Sequence, residues 1–370
     1  MRIHSRLKIY KSRLDHNLEL ISKKAQHQKL ILMLKADAYG HGIKGVVEFL
    51  TDHSDAIDYI GLASLGEALF LKKQLDKSTY PLIIFSEIGD LENSLSTYDE
   101  NLIPVISDLL DLEFFLSSEY SKNTSLFLKF NSGMNRLGIN VSEIGRVINL
   151  LKKHDRPKID HLITHYSSSY LADSFQKKQS VIFKEIKSEF KIAGIEIVES
   201  SIDNSGSIEN ALVDVDTTHF RPGLLLYGAQ SSFNAQELMP LKVISDLETK
   251  IIKSRAVKEK MSYGYGNTVL NKVGSMHLIP LGYGDGISTA YRGHEININE
   301  HKAQFFGRVN MDMSALFIEG DPSLDLKNKS VLIWNEETQK INKLSKHLKT
   351  HPYEVFCMLS SRLPRNYLLE

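Results

Sequence analysis

The sequence contains few of the residues that a disulfide-bonded or metal-clustering protein requires. Cys357 is the single cysteine among 370 residues, which excludes an internal disulfide and every multi-cysteine metal cluster. We expect this cysteine to be a small buried apolar residue. No apolar run approaches the roughly 18 residues that a membrane-spanning helix needs. Residues 1–17 carry charges every few positions and lack the apolar centre of a secretory signal, so we expect a cytoplasmic protein without membrane association.

The chain also lacks net charge. Its 45 basic and 45 acidic residues balance, which gives no electrostatic footprint for nucleic acid or an anionic membrane. The content of 42% hydrophobic and 24% charged residues is that of an ordinary globular protein. A chain of 370 residues is long for one compact core, so two domains are expected. The sequence predicts no metal site and no nucleic-acid partner.

Strand-like runs alternate with amphipathic helical patterns over about the first 230 residues. Eight such alternations predict a (β/α)₈ barrel, and an open doubly wound sheet is the alternative because alternation does not prove closure. Beyond Leu241, short strand-like runs between Gly- and Asn-bearing turns predict a mostly β C-terminal domain. We assign residues 9–230 to the barrel, residues 1–8 and 231–370 to the second domain, and residues 231–234 to a linker. The barrel strand candidates are 30–34, 59–63, 81–85, 102–106, 125–130, 159–164, 195–199 and 216–220, and those of the second domain are 242–253, 275–280, 294–298, 315–318 and 330–334.

One stretch carries the strongest chemical signal. The apolar run 30–34 is typical of a strand covered on both faces, and it ends at Lys35. An amine at the carboxyl end of a buried strand is partly desolvated, which favours its neutral, nucleophilic form. A barrel enzyme holds a Schiff-base lysine at this position, whereas the alternative is a strand-end lysine that reaches solvent. With Ala-Asp-Ala-Tyr-Gly-His-Gly after the lysine, the stretch resembles the pyridoxal-phosphate lysine motif of alanine racemases.

The segment 128–138 also resembles that family. It runs Leu-Lys-Phe-Asn-Ser-Gly-Met-Asn-Arg-Leu-Gly and contains Lys129 and Arg136. The resemblance implies that Arg136 reaches the phenolic oxygen of the cofactor and the substrate carboxylate, which suits a guanidinium that donates two parallel hydrogen bonds. It further implies that Lys129 braces the arginine, in the family often as a carbamylated lysine.

Segments after three later strand candidates complete the implied cofactor site. His165 stands where the family links its catalytic tyrosine to the arginine beneath the cofactor, and Arg221, in His-Phe-Arg-Pro-Gly, stands where that arginine faces the pyridine nitrogen. A permanent cation there disfavours protonation of the nitrogen and makes the ring a weaker electron sink, which suppresses side reactions. The other cofactor-binding residues that the resemblance implies, mostly at the phosphate, are Tyr39, Asn204, Ser205, Gly223, Leu224 and Tyr353.

The second domain contributes the opposite face of the site in this interpretation. Inverting a stereocentre requires a proton to leave one face and return on the other, which two fixed groups achieve without crossing the substrate plane. Lys35 serves one face, and Tyr263, in Ser-Tyr-Gly, serves the other from the partner subunit; Tyr265 is the alternative. The resemblance also implies an inner-gate tyrosine at Tyr283 and a backbone amide at Met311 that binds the substrate carboxylate.

The matches run from Lys35 to Arg365 in the order of the family. The family implies a fold-type III pyridoxal-phosphate enzyme, a homodimer with shared active sites that interconverts L- and D-alanine for cell-wall precursors. The alternatives are a broad-specificity or non-alanine racemase, a non-catalytic pyridoxal-phosphate-binding protein, a fold-type III decarboxylase, and a barrel enzyme without the cofactor. Several positions depart from the family and leave substrate preference open: Asn131, Tyr170, Ser201, Thr289 and Asn310, with Arg292 as a substitute channel cation.

Overall fold

The computed structural model describes residues 2–25, 28–53, 55–75, 80–89, 91–171, 173–214, 216–231, 239–337 and 340–370. Linker residues 232–234 lie outside these ranges. The strands in the first part of the chain are β1 Arg6–Tyr10, β2 Lys29–Met33, β3 Ile57–Ser64, β4 Leu82–Glu87, β5 Leu102–Ile106, β6 Phe127–Asn131, β7 Ile139–Asn140, β8 Lys158–Ile163, β9 Glu196–Ser201 and β10 His219–Phe220. The helices there are α1 Lys11–Ala25, α2 Ile43–Phe49, α3 Leu65–Gln74, α4 Leu91–Ser94, α5 Leu109–Ser117, α6 Ile144–Lys153, α7 Ser174–Ile192 and α8 Ser205–Glu209.

Eight of these strands form a parallel barrel in the order β10-β2-β3-β4-β5-β6-β8-β9, with the short β7 beside β6. Backbone hydrogen bonds join the two ends of this order, because the Thr218 amide donates to the Ser200 carbonyl at 2.9 Å and the Arg221 amide donates to the Asp203 carbonyl at 3.2 Å. The (β/α)₈ prediction is therefore confirmed, and the open sheet is rejected. Each barrel strand candidate overlaps one observed strand, in the same order.

The apolar strand runs are continuous because the barrel buries both strand faces. Ile31, Ile83 and Ile163 belong to a compact cluster contributed by several barrel strands, separate from the outer core. Leu30 and Leu32, on the other face of β2, pack in the outer core between the strands and the helices. Fully burying each such side chain contributes roughly 1.5–3 kcal/mol to stability. A polar residue at every second position, as in a half-exposed strand, would lose that contribution.

The remaining strands form two antiparallel-rich sheets and a hairpin. The first sheet has the order β19-β11-β1-β20, so the strand nearest the N-terminus lies between strands from the last third of the chain. The second sheet has the order β12-β15-β18-β17-β16, and β13 pairs with β14. The elements are β11 Ser245–Lys250, β12 Lys253–Val257, β13 Met261–Tyr263, β14 Thr268–Leu270, β15 Gly274–Ile279, β16 Glu295–Ile298, β17 His301–Phe306, β18 Ser314–Glu319, β19 Ser330–Trp334, β20 Arg365–Leu368, α9 Ile341–Leu348 and α10 Pro352–Cys357.

Two local predictions are wrong. The run 242–253 is not one strand. The Ile251 amide donates to the Lys329 carbonyl, next to β19 of the first sheet, at 3.0 Å, whereas the Ile252 amide donates to the Leu278 carbonyl in β15 of the second sheet at 2.8 Å. The chain changes sheets between these two residues. Cys357 is exposed rather than buried, since it ends α10 beside an open cavity. None of the helices in the described part of the chain has the length and apolar composition needed to cross a membrane.

Candidate functional site

A cavity of about 480 Å³ opens at the carboxyl ends of the barrel strands. Because the ends of parallel strands meet at one face of the barrel, residues far apart in sequence surround it. Lys35 follows β2, His165 follows β8 and Arg221 follows β10. Ten residues predicted from the sequence line this cavity: Lys35, Tyr39, Lys129, Arg136, His165, Asn204, Ser205, Arg221, Gly223 and Tyr353.

The lysine enters the cavity from a left-handed turn. Ala36 and the three residues after it have φ angles of 53°, 55°, 53° and 52°, in a region that costs roughly 1–2 kcal/mol for each residue with a Cβ atom. The carboxylate of Glu67 accepts hydrogen bonds from the backbone amides of Ala36 and Ala63, each at 2.8 Å. The Asp37 carboxylate accepts another from the Ile43 amide at 2.8 Å. Strain of this kind persists only where the surroundings hold it, and it is typical of functional sites.

Sequence reasoning did not find Glu67, although Ser64 and Glu67 have the spacing of a capping box. Ser64 does cap α3, since its hydroxyl accepts from the Glu67 amide at 3.1 Å. The pattern predicts only the helix start. It carries no information about the second oxygen of the carboxylate, which reaches a turn 31 residues earlier in the chain.

Three neighbouring cations lower the affinity of the Lys129 amine for a proton. Burial lowers the pKa of Lys129 to about 8, and Arg221, Arg136 and Lys35 add to this effect by repulsion. Burial also lowers the pKa of Lys35, and the charge of Arg136 acts in the same direction. A cavity in which neighbouring cations disfavour the charged forms of two lysines is suited to an anionic occupant, because an anion relieves that repulsion.

Arg221 and His165 lie in contact beneath the cavity. An Arg221 Nη2 group donates to His165 Nδ1 at 3.0 Å and to the Thr164 carbonyl at 2.5 Å. Because a guanidinium can only donate, His165 Nδ1 accepts and the ring proton resides on Nε2. Burial and the charge of Arg221 hold the pKa of His165 well below its usual value, so the ring is neutral. Burial lowers the pKa of Arg221 to about 10, which leaves the guanidinium charged at neutral pH.

Hydroxyl groups gather on another side of the cavity. The Ser205 hydroxyl accepts from the Gly223 amide at 3.0 Å. The ring of Tyr39 lies 5.6 Å from that of Tyr353 and 4.7 Å from that of Tyr227. A Cβ atom at Gly223 would lie 2.5 Å from the Tyr39 hydroxyl oxygen, so only glycine permits this approach. Burial raises the pKa of Tyr353 to about 12, which keeps its hydroxyl protonated and able to donate.

Asn204 lies between these groups and His165. Its side-chain oxygen accepts from the Gly206 amide at 3.0 Å and the Ser207 amide at 3.2 Å, which caps α8. Its amide nitrogen donates to the Tyr166 carbonyl at 3.1 Å and only approaches His165 Nε2, because both of these nitrogens carry protons. Leu224, also predicted to bind the cofactor, is fully buried beside Gly223 and its side chain does not line the cavity.

Three further predicted site residues lie outside the cavity of their own chain. Tyr263 ends β13 and packs against Phe306, with 6.4 Å between ring centroids. Burial raises the pKa of Tyr263, and Arg255 opposes that effect. Tyr283 and Met311 are 49% and 52% exposed. A backbone hydrogen bond joins their loops, because the Gly284 amide donates to the Met311 carbonyl at 2.9 Å.

The positions that depart from the family have structural roles here. Ser201 accepts a hydrogen bond from Arg221 Nη1. The Asn131 side-chain oxygen accepts from the amides of Gly133 and Asn135 at 3.1 and 3.0 Å, which shapes the turn before Arg136. Other departures contribute in different places: Tyr170 lines the cavity, Asn310 bonds to the Tyr283 amide through its carbonyl, and Thr289 begins a short 3₁₀ turn. Sequence reasoning assigned no role to several cavity residues, among them Phe85, Met134 and His351, because the motifs near them point to other side chains.

Two family models match the chain: "Alanine racemase, N-terminal domain" over residues 9–231 and "Alanine racemase, C-terminal domain" over residues 244–367. An alanine racemase of Borreliella burgdorferi is 30% identical over 365 residues, which cover 96% of this chain and 95% of that protein. Alanine racemase 2 of Caldanaerobacter subterraneus subsp. tengcongensis is 26% identical over 379 residues, which cover 98% and 95%. The solved structure of alanine racemase from Acinetobacter baumannii matches with a TM-score of 0.86 at 26% identity and covers 100% of both chains. That from Streptomyces coelicolor A3(2) matches in fold with a TM-score of 0.90 at 19% identity, covering 99% of this chain and 98% of that one.

Proposed function

The chain belongs to the alanine racemase family, and we propose that it interconverts L- and D-alanine with pyridoxal phosphate bound at Lys35. The observation that carries this proposal is the strained turn that delivers the Lys35 amine into a strand-end cavity shared with three other basic side chains. Burial lowers the pKa of this amine, at the face where barrel enzymes hold their reactive groups.

The residues present fit the proposed cofactor. Pyridoxal phosphate requires an amine for its aldehyde, donors for its phosphate and a partner for its ring nitrogen. Lys35 would hold the aldehyde carbon and Arg221 would face the ring nitrogen, while hydroxyls and backbone amides would hold the phosphate. The proposed phosphate ligands are Tyr39, Ser205, Gly223, Leu224 and Tyr353. Asn204 would support them by capping the helix that begins at Ser205, and His165 would support Arg221.

When bound, pyridoxal phosphate supplies an electron sink that makes the α proton of the substrate acidic. The protein sets how strong that sink is. Arg221 remains charged at neutral pH because its pKa stays near 10 despite burial. A permanent cation that has no proton acceptor of its own disfavours a proton on the neighbouring ring nitrogen. The site thus favours simple proton removal and return over transamination.

Two residues would exchange the α proton on opposite faces of the substrate. The Lys35 amine, whose pKa burial lowers, serves one face. Tyr263 serves the other face from the partner subunit of a homodimer, which agrees with its position outside the cavity of its own chain. The exposed Tyr283 and Met311 would enter the partner's site in the same way, as the gate and as a carboxylate-binding amide.

Arg136 would bind the substrate carboxylate at the rim of the cavity, with Lys129 behind it. Lys129 is only 6% exposed and its pKa is about 8, so part of the amine is neutral near physiological pH. The nitrogen of a neutral amine can form a bond to the carbon of carbon dioxide and release one proton to solvent, and the resulting carbamate would carry a negative charge among the three cations. This modification is part of the proposal.

Other interpretations have less support. A non-catalytic pyridoxal-phosphate-binding barrel does not require the second domain that carries Tyr263. A fold-type III decarboxylase places a negative partner at the ring nitrogen, where this chain has Arg221. A racemase with broader specificity stays open because Tyr170 lines the cavity where the family often has an aspartate. The cytoplasmic location expected from the sequence stays a prediction.

The proposal is tested by incubating the purified protein and pyridoxal phosphate with L-alanine and following optical activity by circular dichroism. The signal should decay to zero with wild-type protein and persist with Lys35→Ala, which should also lack the absorption band of the bound cofactor. Parallel reactions with L-serine and L-lysine measure specificity, and alanine should turn over fastest. A wild-type preparation that binds the cofactor but leaves the L-alanine signal constant would refute the proposal.

A further inference from the structure

Buried polar side chains connect Arg221 to the opposite end of the barrel interior. Arg221 Nη1 is hydrogen-bonded to the Ser201 hydroxyl, which lies 2.9 Å from His161 Nε2. His161 Nδ1 lies 3.0 Å from a carboxylate oxygen of Glu199, and the Tyr59 hydroxyl donates to the same oxygen at 3.1 Å. Residues two apart on a strand point to the same face, so Glu199 and Ser201 of β9 both face inward. His161 of β8 is paired in register with Glu199.

The side chains of Arg221, Ser201, His161 and Glu199 form a row joined by hydrogen bonds. The direction of each bond follows from the groups that make it. Arg221 can only donate, so the Ser201 oxygen accepts from it and has a single proton left to donate. A hydroxyl oxygen has two lone pairs, so the direction of its bond to His161 is decided at the other side of the ring. Burial and the nearby His219 hold the pKa of His161 well below its usual value, so the ring is neutral and has one N–H group. The Glu199 carboxylate can only accept, so this group is at Nδ1 and donates to Glu199, which leaves Nε2 to accept the Ser201 proton.

We propose that His161 and Glu199 are positioning residues for Arg221, and that they act through Ser201 to orient the guanidinium under the cofactor site. A serine hydroxyl alone rotates among three staggered positions. Acceptance by His161 selects one of them, and Glu199 selects the tautomer of His161 that can accept. Since Ser201 and His161 are both 0% exposed, no water competes for these bonds. The donor and acceptor roles within the row do not depend on the proposed function, whereas the effect of the row on cofactor binding rests on that function.

The row also explains one departure from the family. The resemblance places a histidine at position 201, where it supports the arginine directly. In this chain a short side chain at Ser201 leaves the room into which the ring of His161 reaches from the adjacent strand. The support of Arg221 is therefore divided between two residues on neighbouring strands.

A metal site at the same place is the competing interpretation. His161, Glu199 and His219 have ligand atoms within 4.8 Å of one another. However, the nitrogen atoms of His219 already have partners, Asp58 at 3.0 Å and Thr218 at 2.8 Å, and both nitrogens of His161 belong to the row described above. A metal ion at His161 Nδ1 would displace the proton that the row requires there, so the two interpretations give different spectra.

The first test is ¹⁵N NMR of cofactor-free protein labelled at histidine. His161 should be neutral with its proton on Nδ1, and Ser201→Ala should shift the Nε2 signal of His161 while the signals of His219 stay in place. Addition of Zn²⁺ should leave the His161 signals unchanged. A proton on Nε2, a doubly protonated ring, or a zinc-induced shift of His161 would overturn the proposal.

The second test compares two matched substitutions. His161→Phe and His219→Phe each replace a buried ring that makes two hydrogen bonds inside the barrel. Only the ring of His161 belongs to the row. His161→Phe should weaken pyridoxal phosphate binding about tenfold, the effect of one hydrogen bond to a charged group, against less than about twofold for His219→Phe at similar unfolding temperatures. Equal weakening by both would overturn the positioning role. Absence of cofactor binding in wild type would instead refute the proposed function and leave the NMR result standing.

Discussion

The guanidinium of Arg365 donates two hydrogen bonds to the backbone carbonyl of Gly40, at 2.9 and 3.2 Å. These residues are 325 positions apart, yet the contact fastens the end of the left-handed turn that follows Lys35. Tyr367, on the same strand as Arg365, adds a hydrogen bond from its hydroxyl to the His41 carbonyl at 3.0 Å. The C-terminal segment thus holds the backbone conformation that places the Lys35 amine.

Removing the two hydrogen bonds from Arg365 to Gly40 should destabilise the protein and loosen this turn. Arg365→Ala leaves the buried Gly40 carbonyl without these donors, which costs about 1–3 kcal/mol in the free energy of unfolding. We expect a matching loss of pyridoxal phosphate affinity, since the strained turn would relax. Urea denaturation and cofactor titration measure the two effects. Arg308→Ala, at an exposed arginine, is the control and should change either quantity little; a similar loss in both variants would contradict the bracing role.

Gly40 should be irreplaceable for two separable reasons. Its φ is +78°, and a Cβ atom there would lie 2.3 Å from the Phe356 carbonyl oxygen. Gly194 has nearly the same φ, +76°, but the space that a methyl group would occupy there is open. Gly194→Ala should therefore lose only about 1–2 kcal/mol of unfolding free energy from backbone strain, and Gly40→Ala should lose at least about 2 kcal/mol more from the clash. Urea denaturation of both variants gives the difference in unfolding free energy. Equal losses would show that the α10 backbone moves away at little cost, which would contradict the predicted clash.

Tyr263→Phe should remove one of the two proton-exchanging groups. Racemisation should fall by about 10²–10⁴, the usual contribution of a positioned acid or base, while Lys35 continues to exchange the α proton of one enantiomer. Deuterium incorporation from heavy water into L- and D-alanine, measured separately, distinguishes the two faces. Tyr265→Phe is the control, because Tyr265 is 71% exposed on the same hairpin. If Tyr265→Phe produces the larger loss, the assignment moves to that residue.

The titration of Lys129 should make stability depend on pH. Its pKa is about 8 in the folded chain and 10.5 in the reference state. Between these values the unfolded chain binds more protons, so the free energy of unfolding rises as pH increases from about 8 to about 10.5. From pH 7.5 to 9.5 the gain should be about 2 kcal/mol. In buffer free of carbon dioxide, where Lys129 is an unmodified amine, cofactor-free wild type should show this gain relative to Lys129→Met, whereas Lys327→Met, at an exposed lysine, should keep it. A wild-type curve parallel to that of Lys129→Met would contradict the lowered pKa.

Much of the architecture could be predicted because it depends on local pattern. The continuous apolar run 30–34 reveals a strand covered on both faces, and the alternation of strands and helices predicts a barrel. Once the barrel closes, residues that follow successive strands must meet at one face, which is why Lys35, His165 and Arg221 could be grouped before their distances were known. The order of the strands likewise follows from short right-handed connections.

Other features depended on contacts that no local pattern encodes. Glu67 reaches a turn on a neighbouring strand, the chain changes sheets between Ile251 and Ile252, and Cys357 faces an open cavity. The direction of the hydrogen bond between Ser201 and His161 follows from Glu199, which accepts from the other nitrogen of the ring.

The sequence by itself determined which residue types stand at the strand ends, and therefore the chemistry available to the site. Only the tertiary structure decided how that chemistry is held: the left-handed turn after Lys35, its fastening by Arg365, and the support of Arg221 from inside the barrel. The physical reason is range. Burial patterns repeat every two to four residues and are visible along the chain, whereas a hydrogen bond between residues hundreds of positions apart exists only after folding has brought its donor and acceptor together.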